Sequence, residues 1–268
     1  MKEIIFSGLG LKLNVNSVAI SIFGVDIYWY AILIVSAFVI AIILCKKDDK
    51  KYGIDFENIL EVLIIVIPIS IICARLYYVL FDLSYYTKNP IEIFNIRNGG
   101  LAIYGGIIGA VITIIIYCRV KKMNILDMLD YIAPYLALGQ AIGRWGNFFN
   151  GEAHGTVTNN IFRMGIVENG KYMEVHPTFL YESICNFIIF VILFLLRNKR
   201  QYKGQITYIY LSLYGFIRAI IEGLRTDSLM LGPFRISQVL SIILCVTFGI
   251  IVIYKQIQCK KEKCKHET

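Results

Sequence analysis

The chain has 268 residues, of which 57% are hydrophobic and 17% are charged, and it carries a formal net charge of +8 at pH 7. Its mean hydropathy of +0.64, together with fewer charged residues than the usual quarter, excludes an ordinary soluble domain. The basic residues are concentrated in short segments beside apolar runs, which argues against a nucleic-acid-binding protein.

Seven long apolar runs follow one another along the chain. They cover residues 27–44, 59–81, 101–118, 126–142, 178–196, 206–224 and 236–254. Most of them approach the roughly 20 residues that a helix needs to cross a bilayer. We therefore predict an all-α fold, a polytopic integral membrane bundle of seven transmembrane helices that forms a single domain over residues 1–268. The fourth run is the weakest, because Asp127, Asp130 and Pro134 interrupt it.

Basic residues stand at alternate connections between these runs. Sixteen of the 27 lysines and arginines follow the first, third and fifth runs or lie in the C-terminal tail. The positive-inside rule assigns these segments to the cytoplasm, which places the N-terminus outside and the C-terminus inside. The connection of residues 144–176 is then an extracytoplasmic head. Residues 1–16 lack a signal-peptide pattern, so we expect the first run to be retained.

The seven cysteines all fall within the runs or in segments predicted to face inward. They are Cys45, Cys73, Cys118, Cys185, Cys245, Cys259 and Cys264. We expect reduced thiols and no structural disulfide. Metal binding or acylation is the alternative for the two cysteines of the basic tail. The chain contains no metal-binding motif, so neither a metal nor another cofactor is expected.

The first three runs place polar side chains near their predicted outer ends. Tyr30, in a Tyr-Trp-Tyr sequence, is typical of an aromatic belt. Arg75, in the second run, either snorkels to the interface or contacts a ligand. In the third run, Gly105 and Gly109 have the G-x-x-x-G spacing that lets membrane helices approach closely. We expect the surrounding glycines to bring Tyr104 against a ligand.

Residues 143–155, directly after the fourth run, are the most informative segment. Between glycines they contain Arg144, Asn147, Asn150, Glu152, His154 and finally Gly155. An unpaired polar group costs several kcal/mol in hydrocarbon, so ionisable residues at membrane depth are candidates for a functional site.

Two further segments add polar groups at the same predicted depth. His176 opens the fifth run, and for the nearby Glu182 pairing within the bundle and a substrate role are both open. Arg218, Glu222 and Arg225 are four and three residues apart, so they share one helical face. That row is net positive. It is either an ion-pair network that locks helices together or a site for an anion, and the guanidinium fork matches phosphate.

These polar residues share one predicted depth in the membrane. With the predicted topology, the groups that lie toward the outer leaflet are Tyr30, Arg75, Arg144, Arg218, Glu222 and Arg225. Several arginines around one polar pocket indicate an anionic ligand, and a phospholipid headgroup is the obvious anion at that depth.

Taken together, these segments resemble the prolipoprotein diacylglyceryl transferase family. The resemblance covers nearly the whole chain and is most specific in residues 143–155. Its other motifs occur in the right order: Tyr-Trp-Tyr, Ala-Arg-Leu-Tyr-Tyr, the glycine-rich start of the third run, His-Pro-Thr-Phe-Leu-Tyr-Glu and Arg-x-x-x-Glu-x-x-Arg.

The resemblance implies a multi-pass enzyme of the bacterial cytoplasmic membrane. Such an enzyme moves the diacylglyceryl group of phosphatidylglycerol to the thiol of the lipobox cysteine of preprolipoproteins, and glycerol phosphate leaves. Its partners are that lipid, the preprolipoprotein and the membrane, without nucleic acid or cofactor. The implied catalytic residues are Arg144, Arg218, Tyr104, Glu152 and Glu222. The implied lipid-binding residues are Arg144, Asn147, Tyr30, Arg75, Asn150, Gly155, Arg225 and His176.

Tyr104 departs from the family pattern, which commonly has His at this position. A phenol with a pKa of about 10 is a poor base at neutral pH, so a mechanism based on that His is in doubt. The proton acceptor is then Glu152, His154, His176 or Glu222, or the phosphate itself. The alternative function is an outward-facing anion or lipid transporter, although the chain shows no paired inverted repeat.

Overall fold

A computed structural model describes residues 2–96, 99–168, 170–226 and 228–266 of the chain, and this part is mostly helical. Its helices are α1 (Trp29–Lys47), α2 (Phe56–Phe81), α3 (Leu83–Tyr86), α4 (Ile103–Val120), α5 (Ile125–Asn150), α6 (Thr178–Leu196), α7 (Gln205–Leu224) and α8 (Ile236–His266). Each of the seven apolar runs overlaps one of the long helices. Apolar side chains favour burial in lipid, where a helix satisfies its own backbone polar groups.

Five of the helical segments are long and apolar enough to cross a membrane. They are Trp29–Lys47, Phe56–Phe81, Ile103–Val120, Thr178–Lys199 and Ile236–Glu262. The protein is therefore a multi-pass membrane protein. α5 and α7 are not among the five, so seven spans and the orientation of the termini stay predictions.

The prediction of an all-α fold is wrong, because the described residues also form eight strands. They are β1 (Lys2–Phe6), β2 (Leu11–Val15), β3 (Val18–Ile22), β4 (Val25–Tyr28), β5 (Met164–Glu168), β6 (Lys171–Val175), β7 (Met230–Leu231) and β8 (Phe234–Arg235). These segments are short, and several alternate apolar with polar residues between turns, which favours hairpins over membrane helices.

The strands form one four-stranded antiparallel sheet and two separate hairpins. The sheet has the order β2-β1-β5-β6, and we call it the head sheet. Its buried core also includes residues from the end of α5 and the start of α6. The core residues are Ile4, Phe6, Val15, Phe148, Met164, Ile166, Val175 and Phe179. The head sheet is thereby fixed to the two helix ends that carry Arg144 and Glu182.

The chain divides into two compact units, one of residues Met1–Ile43 and Asp130–Thr268 and the other of Leu44–Leu129. The prediction of a single domain stays a prediction. In the smaller unit, α2 packs against α4 through the glycines of the predicted G-x-x-x-G pair. A Cβ on Gly105 would lie 2.4 Å from the carbonyl oxygen of Cys73, and one on Gly109 would lie 2.7 Å from the Cys73 Cβ. Glycine is needed at both positions for this close approach.

In the larger unit, a buried carboxylate fixes the start of α7. Asp130 of α5 is fully buried and accepts hydrogen bonds from the backbone nitrogens of Gly204 at 2.7 Å and Thr207 at 2.8 Å. The Thr207 hydroxyl at 2.8 Å and an ion pair with Arg200 at 3.0 Å complete its surroundings. The acidic residue that weakens the fourth apolar run thus caps another helix.

Candidate functional site

The polar segment that was predicted to be a loop begins inside a helix. α5 continues to Asn150, so Arg144 and Asn147 project from its last turns, and the connection to the head sheet begins at Gly151 instead of Arg144. The glycines suggest a break, but Gly146 has a packing role. A Cβ there would lie 2.1 Å from the Cδ2 atom of Tyr30, so glycine lets the Tyr30 ring approach α5.

Aromatic side chains hold α1, α5 and α6 together beside Arg144. Trp29 stacks on Phe149 with ring centroids 5.0 Å apart. Phe179 of α6 lies 5.6 Å from Trp145 and 5.0 Å from Phe148 between ring centroids. Each such pair contributes about 0.5–1.5 kcal/mol beyond its buried area. This packing fixes the positions from which the charged side chains project.

Glu182 lies at the centre of the site. Its side chain is 1% exposed, and its Oε1 atom accepts a hydrogen bond from Arg144 Nη2 at 2.5 Å. Arg218 Nη1 lies 3.2 Å from Oε1 and 3.1 Å from Oε2 of the same carboxylate. Glu182 therefore joins α5, α6 and α7, and of its two open roles the structure shows the pairing. The predicted site residues did not include it, although its place at the outer start of the fifth run was a signal.

Glu222 is the second buried carboxylate, 2% exposed, and it forms an ion pair with Arg218 one turn earlier on α7. We call Arg144, Glu182, Arg218 and Glu222 the charged cluster. Two positive and two negative groups balance in the charged cluster, whereas the predicted row of Arg218, Glu222 and Arg225 is net positive. Arg225 is the residue at which α7 ends, with an extended backbone at φ −78° and ψ 149°, and its place on the shared helical face stays a prediction.

The arginines of the charged cluster are more accessible than its carboxylates. The side chain of Arg144 is 23% exposed and that of Arg218 is 15% exposed, against 1% for Glu182. Arg144 also donates from Nη1 to Asn147 Oδ1 at 3.3 Å. An anion that enters the charged cluster meets guanidinium N–H groups before it meets the carboxylates of Glu182 and Glu222, and that geometry favours anion binding.

Glu152 is held beside the charged cluster by two amides. The side-chain nitrogens of Asn147 and Asn150 each donate to its Oε1 atom at 3.0 Å. Asn147 therefore connects Arg144 with Glu152, and the three residues lie together as the polar segment predicts. Glu152 is exposed, in contrast to the two carboxylates of the charged cluster.

Gly155 joins the head connection to two helix ends. Its backbone nitrogen donates to the carbonyl of His176 at 2.9 Å, and it forms an isolated antiparallel bridge with Arg225. A Cβ at this position would lie 2.7 Å from the His176 Cβ and 3.0 Å from the carbonyl oxygen of Leu224. Nδ1 of His176 lies 3.4 Å from the hydroxyl of Tyr181. The structure thus brings Gly155, His176 and Arg225 together.

Arg75 and Tyr104 belong to the smaller unit, so their expected approach to Arg144 stays a prediction. The Arg75 side chain is buried, and all five of its N–H donors point at backbone carbonyls. The carbonyls belong to Glu92, Ile93, Asn95, Gly99 and Gly100. This arrangement favours a role for Arg75 in shaping the turn before α4 over the predicted phosphate contact. Tyr104 is half-buried in the first turn of α4.

The comparisons with known proteins agree on one family. A sequence model of the family described as prolipoprotein diacylglyceryl transferase matches residues 17–254. Relatives named phosphatidylglycerol–prolipoprotein diacylglyceryl transferase are similar over most of their length. The protein from Clostridium novyi (strain NT) is 50% identical over 246 residues, which cover 90% of this chain and 95% of that relative. The protein from Clostridioides difficile (strain 630) is 50% identical over 228 residues, which cover 85% of this chain and 90% of that relative. The protein from Finegoldia magna is 48% identical over 253 residues, which cover 94% of this chain and 99% of that relative.

Proposed function

The chain belongs to the prolipoprotein diacylglyceryl transferase family, and from this premise we propose that its charged cluster is the place where the lipid donor reacts. The protein transfers a diacylglyceryl group from phosphatidylglycerol to a prolipoprotein. In the proposed reaction, the thiol of the lipobox cysteine attacks the carbon of the diacylglyceryl group that is bonded to the phosphate oxygen. A carbon–sulfur bond forms, the carbon–oxygen bond to phosphate breaks, and glycerol phosphate leaves.

We propose that α5 and α7 complete a seven-span bundle in the bacterial cytoplasmic membrane, with the N-terminus outside. Charged residues of both helices have partners inside the larger unit. Asp130 has four hydrogen-bond donors, and the members of the charged cluster pair with one another. Pairing lowers the cost of placing such groups at membrane depth. The charged cluster then lies toward the outer leaflet, where the acceptor peptide arrives.

Arg144 and Arg218 hold the phosphate of the donor lipid in this proposal. The observation that carries it is the convergence of these two arginines, from different helices, on one buried carboxylate. Because Glu182 fixes both guanidinium groups in advance, they are in place when negative charge develops on the leaving phosphate. Groups arranged in this way stabilise a transition state more than mobile ones, which must first reorganise.

The thiol of the acceptor loses its proton during the attack. A cysteine thiol has a pKa of about 8.5, so only a small fraction is ionised at neutral pH. Glu152 is the best-placed acceptor, since it is exposed and joined to Arg144 through Asn147, whereas Glu222 is buried against Arg218. We assign Tyr30, Gly155, His176 and Arg225 the shaping of the entrance for the lipid, and a hydrogen bond from Tyr104 of the smaller unit stays a prediction from the sequence.

The test is transfer by the purified protein from phosphatidylglycerol to a lipobox peptide, with the thioether product detected by mass spectrometry. We expect Arg144→Ala and Arg218→Ala each to lower turnover by about 10²-fold or more while the protein stays folded. Arg163→Ala is the control and keeps normal turnover, since Arg163 pairs with Glu174 at 2.7 Å on the head sheet. Normal rates in either cluster variant contradict the site. Lipid or anion flux across proteoliposomes without covalent product would favour the transporter.

A further inference from the structure

A second polar layer lies next to the charged cluster inside the larger unit. α5, α6 and α7 each carry one more polar side chain, four residues further from the head sheet than their charged residue. These side chains are Gln140, Asn186 and Tyr214. Residues four apart lie on the same helical face, so the three face in the same directions as Arg144, Glu182 and Arg218.

The contacts of this layer show that it adjoins the charged cluster. The hydroxyl of Tyr210 donates to Gln140 Oε1 at 3.0 Å, and the rings of Tyr210 and Tyr214 stack with centroids 5.8 Å apart. Tyr214 is also close enough to Glu182 for the two to interact electrostatically. The polar side chains thus continue from the charged cluster into the interior of the bundle.

Asn186 is the exception in this layer, because its amide has no partner among the described residues. The side chain is fully buried, and neither Nδ2 nor Oδ1 makes a hydrogen bond. A buried polar group without a partner is destabilising, because it has lost its hydrogen bonds to water. The neighbouring buried Ser183 on α6 avoids this cost, since its Oγ donates to the carbonyl of Ala141 at 2.8 Å. A free donor and a free acceptor on one amide match a hydroxyl, which both accepts and donates.

We propose that Asn186 recognises a hydroxyl of the glycerol headgroup of the donor lipid and so determines the preference for phosphatidylglycerol. The inference rests on the proposed function, which places the phosphate at Arg144 and Arg218. The hydroxyls of that headgroup are on the second and third carbons from the phosphate oxygen. Asn186 is four residues, about 6 Å, further along α6 than Glu182. A headgroup directed into the bundle brings a hydroxyl to the amide.

The experiment compares two donor lipids with the same acyl chains and charge. Phosphatidylglycerol has two headgroup hydroxyls, and phosphatidylpropanol has none. Asn186→Leu keeps a similar side-chain volume but removes both hydrogen-bonding atoms. We expect kcat/KM with phosphatidylglycerol to fall about tenfold or more, because sites that hydrogen-bond a substrate hydroxyl lose that discrimination when the bond is removed. We expect kcat/KM with phosphatidylpropanol to change less than about twofold, because that donor never forms the bond.

Ser183→Ala is the matched control, since it removes a buried hydroxyl whose partner is a backbone carbonyl on α5. It leaves the ratio of the two donors unchanged. An Asn186→Leu protein that keeps the wild-type ratio of the two donors overturns the inference. A wild-type protein that transfers from neither donor contradicts the proposed function instead. If Asn186→Leu does not fold, Asn186→Ala and Asn186→Thr are compared in the same way.

Thermal unfolding in lipid-free detergent gives an independent readout. Because the Asn186 amide has no partner among the described residues, Asn186→Leu is expected to keep or raise the Tm. A fall of several degrees would reveal a structural hydrogen bond and contradict the inference.

Discussion

At the scale of single residues, Glu182 explains why two arginines are stable in the interior of the larger unit. Burying a charge is costly unless an opposite charge and hydrogen bonds compensate it. Glu182 supplies both to Arg144 and Arg218, and the accessible edges of the two guanidinium groups stay available to an anion. The same carboxylate therefore serves folding and, in the proposed mechanism, the preorganisation of the phosphate site.

Glu182→Gln separates these two roles. The substitution keeps the size of the side chain but leaves the charged cluster with an excess positive charge. We expect kcat to fall about 10²-fold, because the guanidinium groups lose their fixed positions. We expect KM for phosphatidylglycerol to stay equal or fall, because the excess charge attracts the phosphate. Initial rates over a range of lipid concentrations measure both constants.

Glu182→Asp is the control, since it keeps the charge and shortens the side chain by one methylene group. It restores part of the lost kcat. A Glu182→Gln protein whose kcat remains within about twofold of the wild-type value would remove Glu182 from the preorganised site.

At the scale of elements, α7 is fixed by contacts at both of its ends. Asp130 caps its first turn, and the bridge between Gly155 and Arg225 holds the chain just past its last turn. Arg235 and Gln238 of the following segment donate to its backbone carbonyls at 2.5 Å and 2.9 Å. Because α7 carries Arg218 and Glu222, these contacts fix the position of both side chains along the helix axis relative to α5 and α6.

Asp130→Ala tests this anchoring. It removes the carboxylate that pairs with Arg200 and the acceptor for the first N–H groups of α7. Loss of one partner of a buried ion pair costs about 3–5 kcal/mol, so we expect the free energy of unfolding to fall by that amount. Reversible denaturation in detergent measures it. Asp26→Ala, at an exposed carboxylate that accepts from Ser21, is the control. Equal effects of the two substitutions would refute the anchoring role of Asp130.

At the scale of the whole molecule, the charged cluster acts on an extracytoplasmic peptide only if the proposed orientation is right. The head sheet and the connection from Gly151 are then outside, and the basic C-terminal end of α8 is inside. Asn160 is an exposed residue of that connection, whereas Cys259 belongs to the C-terminal end of α8. The two positions make the orientation testable with one reagent.

Asn160→Cys is expected to react with a membrane-impermeant maleimide in intact cells of a bacterium without an outer membrane, or in spheroplasts. The wild-type protein, with its native cysteines, is expected to react only after permeabilisation, because Cys259 faces the cytoplasm. Labelling is quantified on the purified protein. Strong labelling of the wild-type protein in intact cells would reverse the assigned topology.

The sequence by itself determined the helices and much of the site. An apolar run long enough to cross a bilayer favours a helix, because a helix satisfies its own backbone hydrogen bonds in lipid. Each of the seven runs overlaps one long helix. Arg144, Arg218 and Glu222 stood out because ionisable groups in such runs need partners or a function. The family also followed from the order and spacing of motifs, and the comparisons confirmed it.

Only the tertiary structure decided which groups meet. Glu182 became the centre of the charged cluster because α5, α6 and α7 bring together residues that are 36 and 38 positions apart along the chain. The Arg75 side chain donates to backbone carbonyls of its own unit. In the head sheet, β1 near the N-terminus pairs with β5, which lies beyond the middle of the chain. Hydropathy and periodicity report how each segment is buried. They contain no information on which distant side chain fills the space opposite, because packing of the whole chain determines that.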